Sequence, residues 1–252
     1  MIPKIIHYCW LSNDPYPEDL KRCMATWKEK LPDYEFMLWN FDRFDKSSSL
    51  WVQQAFDNKK YAFAADYIRL FAVYNYGGIY MDMDIEVLKS FNDLLGSDLI
   101  FAYENEEKTG IEAGCFGAQK GNPVIKKCLD YYNGKSFIKQ DGSFDVLPLP
   151  AILLKIITNC NISNIKDNYT FTCKSYQTGQ IEKKSCSYAI HNFAGSWTSK
   201  AQQKYDKIRI RLYSVFPCSI AKMISIFPFV IWQISDNGLY GFLKKLFKKV
   251  TK

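Results

Sequence analysis

The amino-acid sequence predicts an α/β fold with a mostly parallel sheet flanked by helices. Its opening reads strand, helix, strand: residues 2–10 are apolar, residues 18–30 repeat apolar side chains at helical spacing, and residues 34–39 are apolar and aromatic. A second unit of the same kind follows, because an Ala-rich helix over residues 61–74 leads through Gly77 and Gly78 into another apolar strand. Strands that alternate with helices in this way build βαβ units.

The remaining elements are read from the same signals. Pro123 directly after Gly121-Asn122 predicts a helix start, since Pro is tolerated at the first helical position. We therefore predict strands over 99–103 and 111–119, helices over 123–132 and 151–158, and a short strand over 188–191. Small residues within 111–119 indicate that another group approaches that backbone closely.

Charge divides the chain into two halves. The net charge is +7 over 252 residues, but residues 1–125 carry −6 and residues 126–252 carry +13. The basic half favours phosphate-rich partners, which are nucleic acid, a nucleotide or an anionic membrane. The eight cysteines form no C-x-x-C pair, and no leader segment precedes the first strand. Both observations lead us to expect reduced thiols and a cytoplasmic protein.

The last 53 residues form a separate basic, aromatic-rich segment that we predict to be helical. Apolar residues at 239, 242, 243, 246, 247 and 250 keep helical spacing, and lysines at 244, 245, 248, 249 and 252 take the other face. This segregation favours a helix lying on an anionic membrane over a nucleic-acid surface. A helix that packs on the domain is the alternative. Residues 215–234 are apolar but contain Lys222, Pro217 and Pro228, and so predict a poor bilayer span.

Two carboxylates in an apolar run are the main candidate site. On one continuous strand over 79–87, Tyr80, Asp82, Asp84 and Glu86 would share a face, with the two aspartates about 7 Å apart. Two like charges so placed favour a bound cation, although a solvated acidic face has the same pattern.

Two further features stand near this strand in the sequence. Asp66 and Arg69 share one helix face, which fits a surface ion pair or a polar pair aimed into the same pocket. Of the two histidines, His7 has the neighbours of a core residue, whereas His191 precedes a Gly-Ser-Trp loop and is a candidate metal ligand.

The order of these motifs resembles glycosyltransferase family 32, the DXD-motif sugar transferases, particularly members that act in bacterial capsule and surface-polysaccharide synthesis. The matching segments are Ile2-Pro3-Lys4-Ile5-Ile6-His7 with Trp10, Ala65-Asp66-Tyr67-Ile68-Arg69, Tyr76-Gly77-Gly78-Ile79-Tyr80-Met81-Asp82-Met83-Asp84, and His191 with Gly195-Ser196-Trp197. The resemblance covers residues 1–130 and 186–200 and leaves out the tail.

The resemblance implies a GT-A fold over residues 1–199 with a tail over 200–252. It also implies retaining transfer of a hexose from a nucleotide sugar, with UDP expected, and a divalent metal, Mn²⁺ or Mg²⁺. The expected acceptor is a glycan or a lipid-linked oligosaccharide. Together with the basic tail, this leads us to expect a peripheral protein on the cytoplasmic face of the inner membrane, without a nucleic-acid partner.

The resemblance also implies roles for individual residues. Asp66, Arg69, Asp82 and Asp84 form the implied catalytic set. Asp84, Asp82 and His191 are the implied metal ligands, with Ser196 as the alternative to His191. The implied donor contacts are Trp10 on the base, Tyr80 and Asp82 near the ribose, Asp66 and Arg69 at the sugar and phosphate, and Ser196 and Trp197 at the diphosphate.

Two other classes of function fit parts of the pattern. A haloacid-dehalogenase-like phosphatase also uses D-x-D at a strand end, but Glu86 stands where that family needs a Thr- or Val-type residue. A non-catalytic glycan- or lipid-binding module would keep the fold alone. Glu112 is interpreted as a solvated surface residue, with the acceptor side as the alternative.

Overall fold

The computed structural model describes residues 1–195 and 198–250, with residues 245–250 as helical backbone only. It contains two compact units. The first comprises Met1–Lys174 and Glu182–Phe193, and the second comprises Ser175–Ile181 and Ala194–Lys252.

A five-stranded sheet forms the centre of the first unit. Its strands are β1 (Ile5–Cys9), β2 (Glu35–Trp39), β3 (Gly78–Met81), β5 (Leu99–Ile100) and β6 (Cys115–Ala118), in the spatial order β2-β1-β3-β6-β5. The strands β2, β1 and β3 run parallel, and β6 and β5 complete the sheet in antiparallel pairing. The predicted α/β class is thereby confirmed, with a parallel group of strands that continues into an antiparallel edge.

Five helices of the first unit accompany this sheet. They are α1 (Glu18–Lys30), α2 (Leu50–Asp57), α3 (Tyr61–Tyr76), α4 (Pro123–Asp130) and α5 (Leu149–Asn159). The start of α4 follows the predicted signal, because the Asn122 side chain accepts hydrogen bonds from the first free backbone N–H groups. One buried cluster joins the four helices α2, α3, α4 and α5 with the sheet. A second joins α1 with β3 and with the short strand β4 (Ile85–Val87).

The Gly-Gly turn between α3 and β3 has a steric reason. Gly77 and Gly78 both have positive φ, at 68° and 106°. A Cβ on Gly78 would also lie 2.6 Å from the carbonyl oxygen of Ile5. Only glycine allows the chain to leave the helix and enter the sheet here within two residues.

The predicted continuous strand over residues 79–87 is wrong. The backbone of β3 ends at Met81, and Asp82 to Asp84 form a turn in which Ile85 N donates to the Asp82 carbonyl at 3.1 Å. The next strand, β4 (Ile85–Val87), belongs to a second sheet, where it pairs antiparallel with β7 (Ala189–His191). The chain changes sheets at the two aspartates, so strict alternation of faces stops there.

His7 is a buried core residue of β1, as the sequence predicts. Its ring also forms hydrogen bonds with neighbouring elements. Its Nε2 lies 2.7 Å from the Gly77 carbonyl oxygen, and Trp39 Nε1 donates to its Nδ1 at 3.0 Å. These partners fix the neutral ring with the proton on Nε2. Burial lowers the pKa of His7 to about 4.

The described part of the second unit is helical from Lys200 onward. Its helices are α6 (Lys200–Val215), α7 (Cys218–Ile224) and α8 (Ile226–Val250). By length and composition, residues 218–244 are long and apolar enough to cross a bilayer, in contrast to the poor span predicted. Pro217 caps α7 and Pro228 lies in the first turn of α8, positions where a missing N–H costs no helical hydrogen bond. The helical conformation is interrupted instead at Gly238, with φ 66°.

Candidate functional site

The pairing of β4 with β7 carries His191 to the two aspartates. In this pairing Ile85 lies opposite His191, so the residue that follows Asp84 fixes where the imidazole stands. One ligand atom each from Asp82, Asp84 and His191 lie within 4.8 Å of one another. His191 Nε2 is 3.5 Å from Asp84 Oδ1. The structure therefore brings together the three residues predicted as metal ligands.

The donor set of this cluster fits a hard or borderline divalent cation. Two carboxylate oxygens and one imidazole nitrogen suit Mn²⁺ or Mg²⁺, whereas a thiolate-selected metal would need cysteine. Three protein ligands also leave coordination positions for phosphate oxygens and water. Asp82, Asp84 and His191 are thus the residues that would hold such a cation.

The carboxylates of Glu112, Asp84 and Asp82 surround His191 and make the site attractive to cations. Burial alone would lower the pKa of His191, but Glu112 and Asp84 outweigh that effect and raise it to about 10. Burial would likewise raise the pKa of Glu112, but His191 and the hydrogen bonds to that carboxylate lower it to about 2. His191 and Glu112 therefore form a buried ion pair beside the two aspartates.

Asp66 and Arg69 form a buried network with the first aspartate of the motif, and not a surface ion pair. Arg69 Nη2 lies 3.4 Å from Asp66 Oδ1 and 3.4 Å from Asp82 Oδ1. Arg69 also lies over the Tyr80 ring at 4.5 Å, and the Tyr80 hydroxyl donates to Asp82 Oδ1 at 2.7 Å. The helix α3 and the strand β3 thus supply one connected set of polar side chains.

The guanidinium of Arg69 is surrounded by protein acceptors. Nη1 donates to the Ala113 carbonyl at 2.7 Å and lies 3.5 Å from Asp82 Oδ2, while Nε donates to the Ala65 carbonyl at 3.4 Å. Burial would lower the pKa of Arg69, but Asp82, Tyr80 and Asp66 raise it above its ordinary value. Burial raises the pKa of Asp66 to about 6, although Arg69 opposes the shift.

Gly114 permits the close approach of the site side chains. A Cβ at this position would lie 2.8 Å from Glu112 Oε1, 2.8 Å from His191 Cε1 and 2.9 Å from Asp82 Oδ2. Its carbonyl also accepts from Asp82 N at 2.7 Å. The small residues of this segment had indicated a close approach to the backbone, and the groups that approach Gly114 are these side chains.

Glu112 is the residue that sequence reasoning missed. The prediction of a solvated surface position is wrong, because the residue is 2% exposed and contacts His191. A single acidic residue between apolar and small neighbours gave no signal of its own. Its burial depends on His191 and Thr172, which are distant in the chain.

Of the residues predicted to contact the base and the diphosphate of the donor, the structure describes Trp10 but not Ser196 or Trp197. Trp10 directly follows β1 and is half-buried, with its ring edge-on to Tyr16 at 5.2 Å and its Nε1 donating to the Asp14 carbonyl. Because β1 and β3 are parallel neighbours, Trp10 and Asp82 lie at the same carboxyl edge, where α/β sheets commonly bind ligands. Ser196 and Trp197 lie outside the residues that the structure describes.

Part of the chain is similar to known glycosyltransferases. Residues 17–101, which include α3 and both aspartates, match the family model described as "Glycosyltransferase sugar-binding region containing DXD motif". The chain is a relative of glycosyltransferases.

The similar proteins include fungal and viral sequences. "Inositol phosphoceramide mannosyltransferase 3" of Schizosaccharomyces pombe is 31% identical over 49% of this chain, which spans 35% of that relative's length. "Uncharacterized glycosyltransferase L373" of Acanthamoeba polyphaga mimivirus is 26% identical over 78% of this chain and 84% of its own. The solved "PaToxG Glycosyltransferase" aligns over 63% of this chain and 69% of its own, with 23% identity and a TM-score of 0.49.

Proposed function

We propose that the protein is a metal-dependent glycosyltransferase that moves a hexose from a nucleotide sugar to a glycan or lipid-linked acceptor. The observation that carries this proposal is the convergence of Asp82, Asp84 and His191 beside the buried pair of Asp66 and Arg69. This cluster lies at the end of β3, within and next to the segment that matches a glycosyltransferase sugar-binding region.

Each residue of the site has its own proposed role in donor binding. A divalent cation at Asp82, Asp84 and His191 would neutralise the diphosphate and make it a better leaving group. Asp84 and His191 would hold the cation directly. Asp82, which accepts from the Tyr80 hydroxyl, would lie toward the ribose and the water around the cation. Trp10 offers an aromatic face to the base at the same edge of the sheet, and Ser196 and Trp197 are kept as proposed diphosphate contacts.

The acceptors around Arg69 favour a supporting role in this scheme. Because its nitrogens face Asp66, Asp82 and two backbone carbonyls, the guanidinium holds the carboxylates in place more than it reaches for phosphate. Asp66, which is thereby oriented, is the proposed contact to the donor sugar. Preorganised polar groups of this kind need no rearrangement when charge develops in the transition state.

We propose that transfer retains the anomeric configuration, with attack on the face from which the diphosphate departs. The diphosphate then serves as the base for the acceptor hydroxyl. Among the residues that the structure describes, no carboxylate stands out as a nucleophile, since Asp66 and Asp82 are paired with Arg69. A trapped covalent sugar–enzyme adduct would contradict this route.

The names of the relatives guide the choice of substrates to test. Two of them are described as an inositol phosphoceramide mannosyltransferase and a mannosyl phosphorylinositol ceramide synthase. Mannose is therefore tested beside the UDP-hexoses that the family resemblance implies, and lipid-linked acceptors beside oligosaccharides. A role in surface-polysaccharide synthesis is the biological setting that we propose.

A panel of nucleotide sugars tests this function directly. With Mn²⁺ and a mixture of glycan and lipid acceptors, we expect one donor to release its nucleoside diphosphate and EDTA to stop the release. Inorganic phosphate released from phosphoester substrates would instead indicate the phosphatase. Stabilisation by a glycan or lipid without turnover of any donor would indicate the non-catalytic binding module.

We also propose that the second unit docks on an anionic membrane from the cytoplasmic side. Its helices α7 and α8 leave large apolar side chains exposed, of which the most exposed are Met223, Ile226, Phe227, Ile231, Leu239 and Tyr240. Residues 200–252 carry 11 Lys/Arg against 2 Asp. Apolar surface together with excess positive charge matches the chemistry of an anionic lipid surface.

Vesicle binding by the full chain checks this membrane proposal. We expect flotation with phosphatidylglycerol-containing vesicles, weaker binding to pure phosphatidylcholine, and about tenfold or greater loss in a Phe227→Glu/Ile231→Glu variant, because each buried apolar side chain contributes about 1.5–3 kcal/mol. Val146→Glu, at an exposed apolar residue of the first unit, is the matched control. Equal binding by both variants would contradict the proposal, and resistance to alkaline carbonate extraction would indicate a spanning helix instead.

A further inference from the structure

The buried carboxylate of Glu112 has three polar partners inside the protein. Its Oε1 accepts from Gly114 N at 2.5 Å, and its Oε2 accepts from the Thr172 hydroxyl at 2.6 Å. Both oxygens lie 3.1 Å from His191 Nδ1. A buried carboxylate with this many partners is held in one orientation.

These contacts determine which nitrogen of His191 would keep its hydrogen when a cation binds. In the ion pair both ring nitrogens carry hydrogen, and a carboxylate only accepts hydrogen bonds, so the Nδ1–H that faces Glu112 stays and Nε2 is the nitrogen that would release its proton. The opposite nitrogen, Nε2, lies 3.5 Å from Asp84 Oδ1, on the side of the ring that faces the aspartates. The imidazole is therefore turned with Nδ1–H toward Glu112 and with Nε2 toward the two aspartates.

We propose that Glu112 is a positioning residue that orients His191 so that Nε2 can bind the divalent cation held with Asp82 and Asp84. The inference rests on the proposed metal site and extends it to a residue outside the ligand set. An outer carboxylate that accepts from a ligating histidine fixes the ring and typically contributes 10–100-fold in metal affinity.

The other partners of Glu112 support the view that Glu112 orients His191 and not the reverse. Gly114 N and Thr172 hold the carboxylate independently of His191, so the ring adjusts to Glu112 and not the reverse. The ring of Phe193, a non-glycine residue with φ 56°, stacks on the imidazole at 4.3 Å. The imidazole is thus fixed at one edge by the carboxylate and on one face by an aromatic ring.

The Glu112→Gln variant tests the proposal, with two readouts. We expect the Kd of Mn²⁺ alone, measured by electron paramagnetic resonance of free Mn²⁺, to rise about 10–100-fold. Glu104→Gln is the matched control, because Glu104 follows Tyr103, which pairs with Ile111, the residue before Glu112. That control removes a neighbouring carboxylate and leaves the Glu112–His191 contact in place, so we expect its Kd to stay within about twofold of wild type.

The second readout needs neither metal nor activity. In protein labelled with ¹⁵N-histidine, we expect an exchange-protected Nδ1–H signal from His191 in the wild type and in Glu104→Gln, and its loss in Glu112→Gln. His7, whose Nε2 faces the Gly77 carbonyl, is the internal reference for an intact fold. If Glu112→Gln fails to fold, Thr172→Val removes one support of the carboxylate and should give the same changes at smaller size.

The outcomes separate this inference from the proposed function. An unchanged Mn²⁺ Kd or a retained Nδ1–H signal in a folded Glu112→Gln protein would overturn the positioning role. Wild-type protein that binds no Mn²⁺ but keeps the Nδ1–H signal would overturn both the metal site and the positioning role toward it, while the Glu112–His191 hydrogen bond itself would stand. Wild-type protein that binds Mn²⁺ in a Glu112-dependent way but turns over no donor would contradict the proposed function alone.

Discussion

Replacing Asp84 with Asn should lower the rate of sugar transfer by about three orders of magnitude and abolish tight Mn²⁺ binding. A cation that neutralises a leaving diphosphate contributes several kcal/mol to the transition state, and about 4 kcal/mol corresponds to about 10³ in rate. Asn keeps the size of the side chain but removes the charge that the cation needs. Turnover of the cognate donor and calorimetry of Mn²⁺ measure the two effects.

The Asp84→Asn substitution should leave the backbone around residue 84 in its wild-type conformation. Its carbonyl accepts from Asn192 N and from the Asn192 side chain, both at 3.1 Å, and neither bond involves the Asp84 carboxylate. We therefore expect cooperative thermal unfolding in EDTA for the variant as for the wild type. Asp93→Asn, at a carboxylate that accepts from Tyr188 in the same unit, is the control and should leave Mn²⁺ binding intact. An Asp84→Asn enzyme that keeps a tenth of the wild-type rate would contradict the role.

The sequence predicts the local parts of this fold well because they depend on local rules. The helix α1 occupies the predicted residues 18–30, and α3 extends the predicted 61–74 by two residues to Tyr76. Apolar spacing and the Gly-Gly stop are enough to place such elements. The positions of Asp66 and Arg69 on one helix face follow from the same spacing.

The parts that the sequence does not predict depend on contacts between distant residues. Strand alternation continues through Asp82 and Asp84 in the sequence, but the pairing of β4 with β7 draws the chain into a second sheet. That same pairing places His191 at the site, more than one hundred residues after the aspartates, and the sequence indicated this residue only through the loop that follows it and the family resemblance. Glu112 likewise acquires its environment only when Thr172 and His191 meet it. Such tertiary contacts leave no periodic signal in the sequence.

Replacing Arg69 with Met should be the most destabilising single change in the site, with a loss of about 3–5 kcal/mol in the free energy of unfolding at neutral pH. Arg69 is the cation between the carboxylates of Asp66 and Asp82, and removal of one partner from a buried pair leaves an uncompensated buried charge. Asp19 and Arg22 form the matched control pair, with the same i,i+3 spacing on α1 but with side chains 84% and 77% exposed. Arg22→Met should therefore cost less than about 1 kcal/mol.

The pH dependence of the Arg69→Met variant distinguishes loss of charge balance from loss of packing. Burial raises the pKa of Asp66 to about 6 even with Arg69 present, and without that cation the pKa should rise further. An acid whose folded pKa exceeds its unfolded value binds more protons in the folded state, so its penalty is relieved as pH falls from the folded pKa toward about 4. Urea unfolding at pH 7.5 and pH 5 should accordingly show a smaller gap between variant and wild type at pH 5. Arg69→Met/Asp66→Asn should recover part of the stability at pH 7.5, and a gap that is the same at both pH values would indicate that Arg69 acts only through packing.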